Sequence, residues 1–126
     1  MKILAPISLG ELVDKITILE LKIEYITDPD KLININNELK ELARTLNEIK
    51  FIPSIDEDKQ RLKEVNRSLW HIENFKRECE HKGKFDREFT LAAREVYIKN
   101  DLRAEIKRTI NQKTGSSIVE EKSYSK

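Results

Sequence analysis

A chain of 126 residues is long enough for one domain with a core and too short for two. Hydrophobic and charged residues stand at 38% and 37%, with three glycines and three prolines, which argues against a β-protein and for long, surface-charged helices. The 24 Lys and Arg against 23 Asp and Glu leave a net charge of +1, without the basic excess of a nucleic-acid binder.

The first segment, MKILAPISLGELVDK, is too short and too soon charged for a signal peptide. Ser8 and Glu11 form a capping box, and Leu9, Leu12, Ile16, Leu19, Ile23 and Ile26 follow at spacings of three and four. This is the seam of a bundle or coiled coil. Ile18, Leu21 and Tyr25 add a second stripe, so the helix is expected to be central, with neighbours on two sides. Gly10, in its first turn, leaves room for another backbone to approach closely.

Asp28-Pro29 ends this helix and caps the next, whose seam is Leu32, Ile35, Leu39, Leu42, Leu46 and Ile49. So short a loop implies an antiparallel N-terminal hairpin. After Pro53, Ser54 and Glu57 offer a second capping box. A third helix then carries Leu62, Val65, Leu69, Ile72 and Phe75 to a stop near Gly83. Asp86 caps a fourth helix, with Phe85 as a staple residue, that runs to about Lys113 before Thr114-Gly115. The expected fold is all-α: an antiparallel bundle of about four long helices forming one domain over residues 1–115. Residues 116–126 make a short polar tail, free unless Ile118, Val119 and Tyr124 dock it.

Helix four contains the main ambiguity. Phe85, Phe89, Ala92, Ala93 and Val96 share a face that continues, on a straight helix, into Asn100, Arg103, Lys107 and Asn111. A new apolar line of Ile98, Leu102 and Ile106 opens roughly 140° away. Either the helix breaks near Asn100, itself a good N-cap, or one end of the bundle is lined with amides and cations. In the second case Tyr97, Asn100, Arg103, Lys107 and Asn111 form a candidate site for a small anion or a sugar hydroxyl, converging with Glu11, Asp14 and Lys15 of helix one. The competing interpretations are a solvated face and a structural ion-pair network with Asp14, Glu11 or Glu20. An unbroken helix requires at least one contact from those three carboxylates to Arg103 or Lys107, because an unpaired buried cation is costly.

No residue pattern defines a catalytic set. Cys79, His81 and His71 have neither the count nor the spacing of a zinc site, and a single cysteine allows no intrachain disulfide. No metal or cofactor is expected. No run approaches the ~20 apolar residues of a membrane span, so a cytoplasmic protein without membrane partners is expected.

The segments PISLGELVDKITILELK, LWHIENFKRE and AREVYIKNDLRAEIKRTINQKTGSSIVEEKSY together resemble an uncharacterised family of small helical domains of bacteria and their phages. Members occur alone or beside regions similar to glycosyltransferases and tetratricopeptide repeats, which implies an association with surface-polysaccharide pathways. The resemblance spans nearly the whole chain and places weight on the first turns of helix one, on Arg94 to Asn111 and on the Glu120 to Tyr124 tail. Two functional readings follow. One is a non-catalytic interaction or accessory module, self-associating as a homodimer or bound to another protein. The other is a small-molecule site for an anionic sugar or phosphate, with or without catalysis.

Overall fold

The computed structural model describes residues 1–50 and 53–125; Lys126, the last residue of the expected tail, lies outside them. Among the described residues there are four helices, α1 (Leu9–Tyr25), α2 (Pro29–Asn47), α3 (Asp56–Lys82) and α4 (Arg87–Lys113). The chain is an all-α bundle. Three of its four starts are capped as the sequence implies. Ser8 Oγ accepts from the Glu11 amide at 3.2 Å, Asp28 from that of Asp30, and Asp86 from those of Glu88 and Phe89. Phe85 closes the staple edge-on against Phe89, with ring centroids 5.2 Å apart.

The third start differs from expectation. Ile55, not Ser54, is the N-cap of α3, and no side chain caps it. Ile55 is buried in the core with Val13, Leu62, Val65, Ile106 and Ile110, so packing fixes where this helix begins. Asp56, Glu57 and Asp58 stabilise the open end through the helix dipole. At the other ends, Gly83 and Gly115 adopt the left-handed conformation, with φ of 64° and 66°. Each is followed by a return bond, Lys84 N–H to the Cys79 carbonyl at 2.9 Å and Ser116 N–H to the Asn111 carbonyl at 3.0 Å.

α1 is the organising element and packs against all three other helices, as its two apolar stripes imply. α2 packs on α1 alone, and only Ile35 of its seam is fully buried. α3 and α4 form a longer hairpin that α1 crosses obliquely. Its start lies on Lys107 and Asn111 of α4, Asp14 reaches Arg103, and Tyr25 ends against Arg67 and Trp70 of α3. The part of the α3–α4 hairpin beyond α1, including Phe85 and Leu91, is left with exposed apolar side chains.

Helix α4 is continuous through Asn100. Its Ile106–Ile110 line enters the core, while Arg103 and Lys107 face α1. The change of stripe is therefore a change of neighbour. Where α1 crosses, the seam is polar.

Candidate functional site

The polar seam begins at Gly10. Its amide, one of the unsatisfied donors of the first turn of α1, gives its hydrogen to Asn111 Oδ1 at 2.7 Å. The backbones come so close that a Cβ at Gly10 would lie 2.6 Å from the Lys107 carbonyl oxygen. One turn further along α1, Asp14 is 1% exposed and held from three sides. Arg103 grips it with two parallel donors, Nε to Oδ1 at 3.0 Å and Nη2 to Oδ2. Asn66 Nδ2 donates to Oδ1 at 2.9 Å and, at the same distance, to Thr17 Oγ1. The Thr17 hydroxyl in turn donates to the Asp14 carbonyl at 2.8 Å. A bidentate pair with every carboxylate contact charge-assisted or buried is a rigid unit.

Lys107 sits between two carboxylates, Glu11 of α1 at 2.7 Å and Glu120 of the tail at 3.0 Å. Lys15 approaches the other oxygen of Glu11 at 3.6 Å but is half exposed. Burial works against charge on Glu11, yet the hydrogen bond and charge of Lys107, with Lys15, prevail and hold its pKa below the ordinary value of 4.5. Burial likewise works against Lys107, and its bonds to Glu11 and Glu120 carry the pKa upward nonetheless. The bond to Asp14 raises that of Arg103.

These directions give a pH profile. A lowered carboxylate pKa stabilises the fold above its unfolded value and loses that contribution as pH falls through the folded one. The melting temperature is therefore expected to fall below about pH 4.5 as Glu11 protonates. Glu11→Gln should flatten that limb, which thermal denaturation across pH 3 to 6 would measure. A raised Lys107 pKa keeps its contribution below 10.5 and loses it only above, so the alkaline limb lies outside the neutral range.

The tail runs back along α4 through three ion pairs in register. Glu120 meets Lys107, Glu121 meets Arg108 at 3.3 Å, and Lys122 meets Asp101 at 3.0 Å. Ile118, Val119 and Tyr124 remain exposed, so charge rather than apolar contact holds the segment. The Arg108 and Lys122 pairs are exposed and contribute about 0 to 1 kcal/mol each, weakened by salt, and Glu120 is itself 62% exposed although Lys107 is buried. Glu120→Gln is expected to shift stability by less than about 1 kcal/mol, and by less still in high salt. Urea unfolding at two salt concentrations would show it.

Between the tail and α4 lies a cavity of about 610 Å³ lined by Ala104, Lys107, Arg108, Ile118 and Val119 among others. Beside it, a cleft of about 440 Å³ brings together Tyr97, Asn100, Arg103, Lys107, Glu120 and Tyr124. Four of the eight residues singled out from sequence thus share one cleft. Asn111 turns its amide oxygen to Gly10, and Glu11 and Asp14 stand behind the cleft as the partners of its cations. Lys15 reaches the group only through Glu11. Glu20, the third carboxylate considered, faces Lys59 and Lys63 of α3 instead, at 3.5 and 3.7 Å. Asn66 was not among the residues singled out from sequence, and the Glu120 to Tyr124 tail was, though without the pairing of Glu120 with Lys107. Asn66 was readable in principle, being an amide four residues after Leu62 and three before Leu69, on a core line.

His71 contacts the Tyr25 hydroxyl at 3.3 Å and Cys79 is buried, so neither stands with the other as a ligand pair. No described helix is long and apolar enough to cross a membrane.

A family model described as "Family of unknown function (DUF6165)" matches residues 1–126. The chain belongs to this family. The match covers the whole polar seam and the tail of this DUF6165 member, and it supplies a family membership without an activity. No curated protein and no solved structure matches the chain.

Proposed function

We propose that the chain is a non-catalytic binding module that holds a small anionic group, of the phosphate or carboxylate kind, on the α4 face at Arg103. The observation that carries this reading is the clamp on the guanidinium. Asp14 takes Nε and Nη2, and Nη1 has no partner among the described residues. An arginine fixed by a buried carboxylate keeps its remaining donors aimed without further ordering, which is how bidentate oxyanion sites are built. Asn100, whose side-chain amide makes no hydrogen bond among the described residues, and the exposed Tyr97 stand in the same cleft. Lys107 adds a charge whose tail partner, Glu120, is 62% exposed and readily displaced. A purely structural ion pair is the competing account, and it requires no free donor in a cleft. The described lining of the cleft holds no serine, threonine or cysteine to serve as a nucleophile, which favours binding over catalysis.

Calorimetric titration with pyrophosphate tests the proposal. Saturable binding at one site is expected. Arg103→Lys, which keeps the charge but not the planar fork, should weaken it about tenfold or more. Absence of binding to the folded wild-type protein, or full affinity in Arg103→Lys, would contradict it.

A second reading, self-association as an interaction module, has its own support in the N-terminal segment. Ile3 and Leu4 are 76% and 94% exposed, the neighbouring Lys2 pairs with Glu41 of α2 at 3.5 Å, and α2 packs on no helix but α1 among the described residues. Exposed apolar side chains in a contiguous segment mark association surfaces. Light scattering is expected to give a dimer that Ile3→Glu with Leu4→Glu converts to a monomer. A wild-type monomer at high concentration would overturn this reading.

A further inference from the structure

Arg103 and Asn100 line two openings, the tail-side cleft and a separate groove of about 440 Å³ on the α3 side of α4. That groove has an apolar base from Ile18, Leu21 and Leu69 and is bounded by Trp70. Tyr25 stacks on the indole at 5.5 Å with the planes 24° apart, yet takes no part in the groove, so the ring is held while still lining the opening. The polar rim consists of amides, two guanidinium groups and the Glu73 carboxylate, which Lys76 pairs at 3.4 Å. Asn66 is 6% exposed; its Nδ2 is spent on Asp14 and Thr17, while its Oδ1 has no partner among the described residues. Asn74 and Arg77 likewise make no side-chain hydrogen bond or ion pair among them, and both line the groove.

A purely apolar occupant would leave these groups dehydrated and unpaired, which is unfavourable. A bare anion would leave the apolar base and the indole unused. The groove calls for a flat ring with a polar edge and an anionic arm. Carboxamides present a donor and an acceptor side by side, the pattern of a nucleobase edge, and indole stacks on any base face.

We propose that this groove takes the base of a nucleoside phosphate, with Trp70 as the stacking surface, Asn74 and Asn66 on the base edge, and Arg77 and Arg103 on the phosphates. The proposal rests on the reading of Arg103 as an anion-binding side chain and gives its α3 side a ligand class.

Trp70 is the only tryptophan, so its fluorescence reports directly on the groove. Titrations of the full chain with ADP, ribose 5-phosphate and pyrophosphate separate the contributions. ADP is expected to change the emission saturably and to bind roughly tenfold more tightly than pyrophosphate or ribose 5-phosphate, in keeping with base stacking. Asn74→Ala, on an exposed position and assigned to the base edge alone, should remove most of that advantage while leaving pyrophosphate affinity and the melting temperature unchanged. Equal affinities for ADP and pyrophosphate, equal affinities for ADP and ribose 5-phosphate, or an ADP affinity untouched in Asn74→Ala would each overturn the nucleotide assignment and leave the anion reading standing. Failure of both pyrophosphate and ADP to bind would overturn both.

Discussion

Asp14→Ala is expected to cost about 3 to 5 kcal/mol, the usual effect of removing one member of a buried ion pair. The substitution leaves the Arg103 guanidinium without its counter-charge and takes an acceptor from Asn66. Stability of a domain is typically about 5 to 15 kcal/mol, so the loss is a large share of the total. Arg103→Met should cost a comparable amount, because Asp14 is 1% exposed and would then keep only the Asn66 amide as a donor. Asp14→Leu combined with Arg103→Met removes both charges and should recover most of the loss. Urea unfolding of Asp14→Leu, Arg103→Met and the double variant would give a coupling energy well above 1 kcal/mol. Strictly additive effects, or single losses under about 1 kcal/mol, would show that the pair is loosely solvated.

Gly10→Ala should be the other costly change, against the sign that helix propensity gives. Alanine in place of glycine inside a helix ordinarily stabilises by about 0.5 to 1 kcal/mol. Here the new Cβ would lie 2.6 Å from the Lys107 carbonyl oxygen and 2.8 Å from Asn111 Oδ1. The first of these is backbone of a packed helix and cannot swing aside. α1 must move away from α4, which stretches the Gly10–Asn111 hydrogen bond and the two ion pairs beyond it. Overpacking of this kind costs typically about 1 to 3 kcal/mol, and loss of the bonds adds to it. A fall of about 10 °C in melting temperature is expected for a chain of this size, about 4 °C per kcal/mol. An unchanged or raised value would mean that the helices part easily there.

The helices were legible because each is written in heptad-like spacing and closed by local chemistry. Ser8, Asp28 and Asp86 cap starts; Gly83 and Gly115 end α3 and α4. Such signals lie within a few residues of their effect. Where local chemistry competed with packing, packing prevailed, as when buried Ile55 displaced Ser54 at the start of α3. The continuity of α4 was not legible, because Asn100 suits both an N-cap and a helix interior. Contacts 89 and 96 residues apart in sequence, Asp14 with Arg103 and Glu11 with Lys107, satisfy the cations of the unbroken helix. The expectation that α1 carboxylates would meet them held, and the oblique crossing decided which ones. It put Asp14 and Glu11 on α4 and sent Glu20 to α3. The tail could not be read from hydropathy either, since its docking is ionic.

Anion binding by this chain depends on whether the free edge of Arg103 receives the anion. Nitrogen-detected NMR of the arginine guanidinium groups during titration with pyrophosphate examines that edge directly. The Arg103 Nη1 resonance should move saturably with the calorimetric affinity while Nε, held by Asp14, changes little. Binding that leaves the Arg103 resonances in place, or no binding at all, would contradict the account.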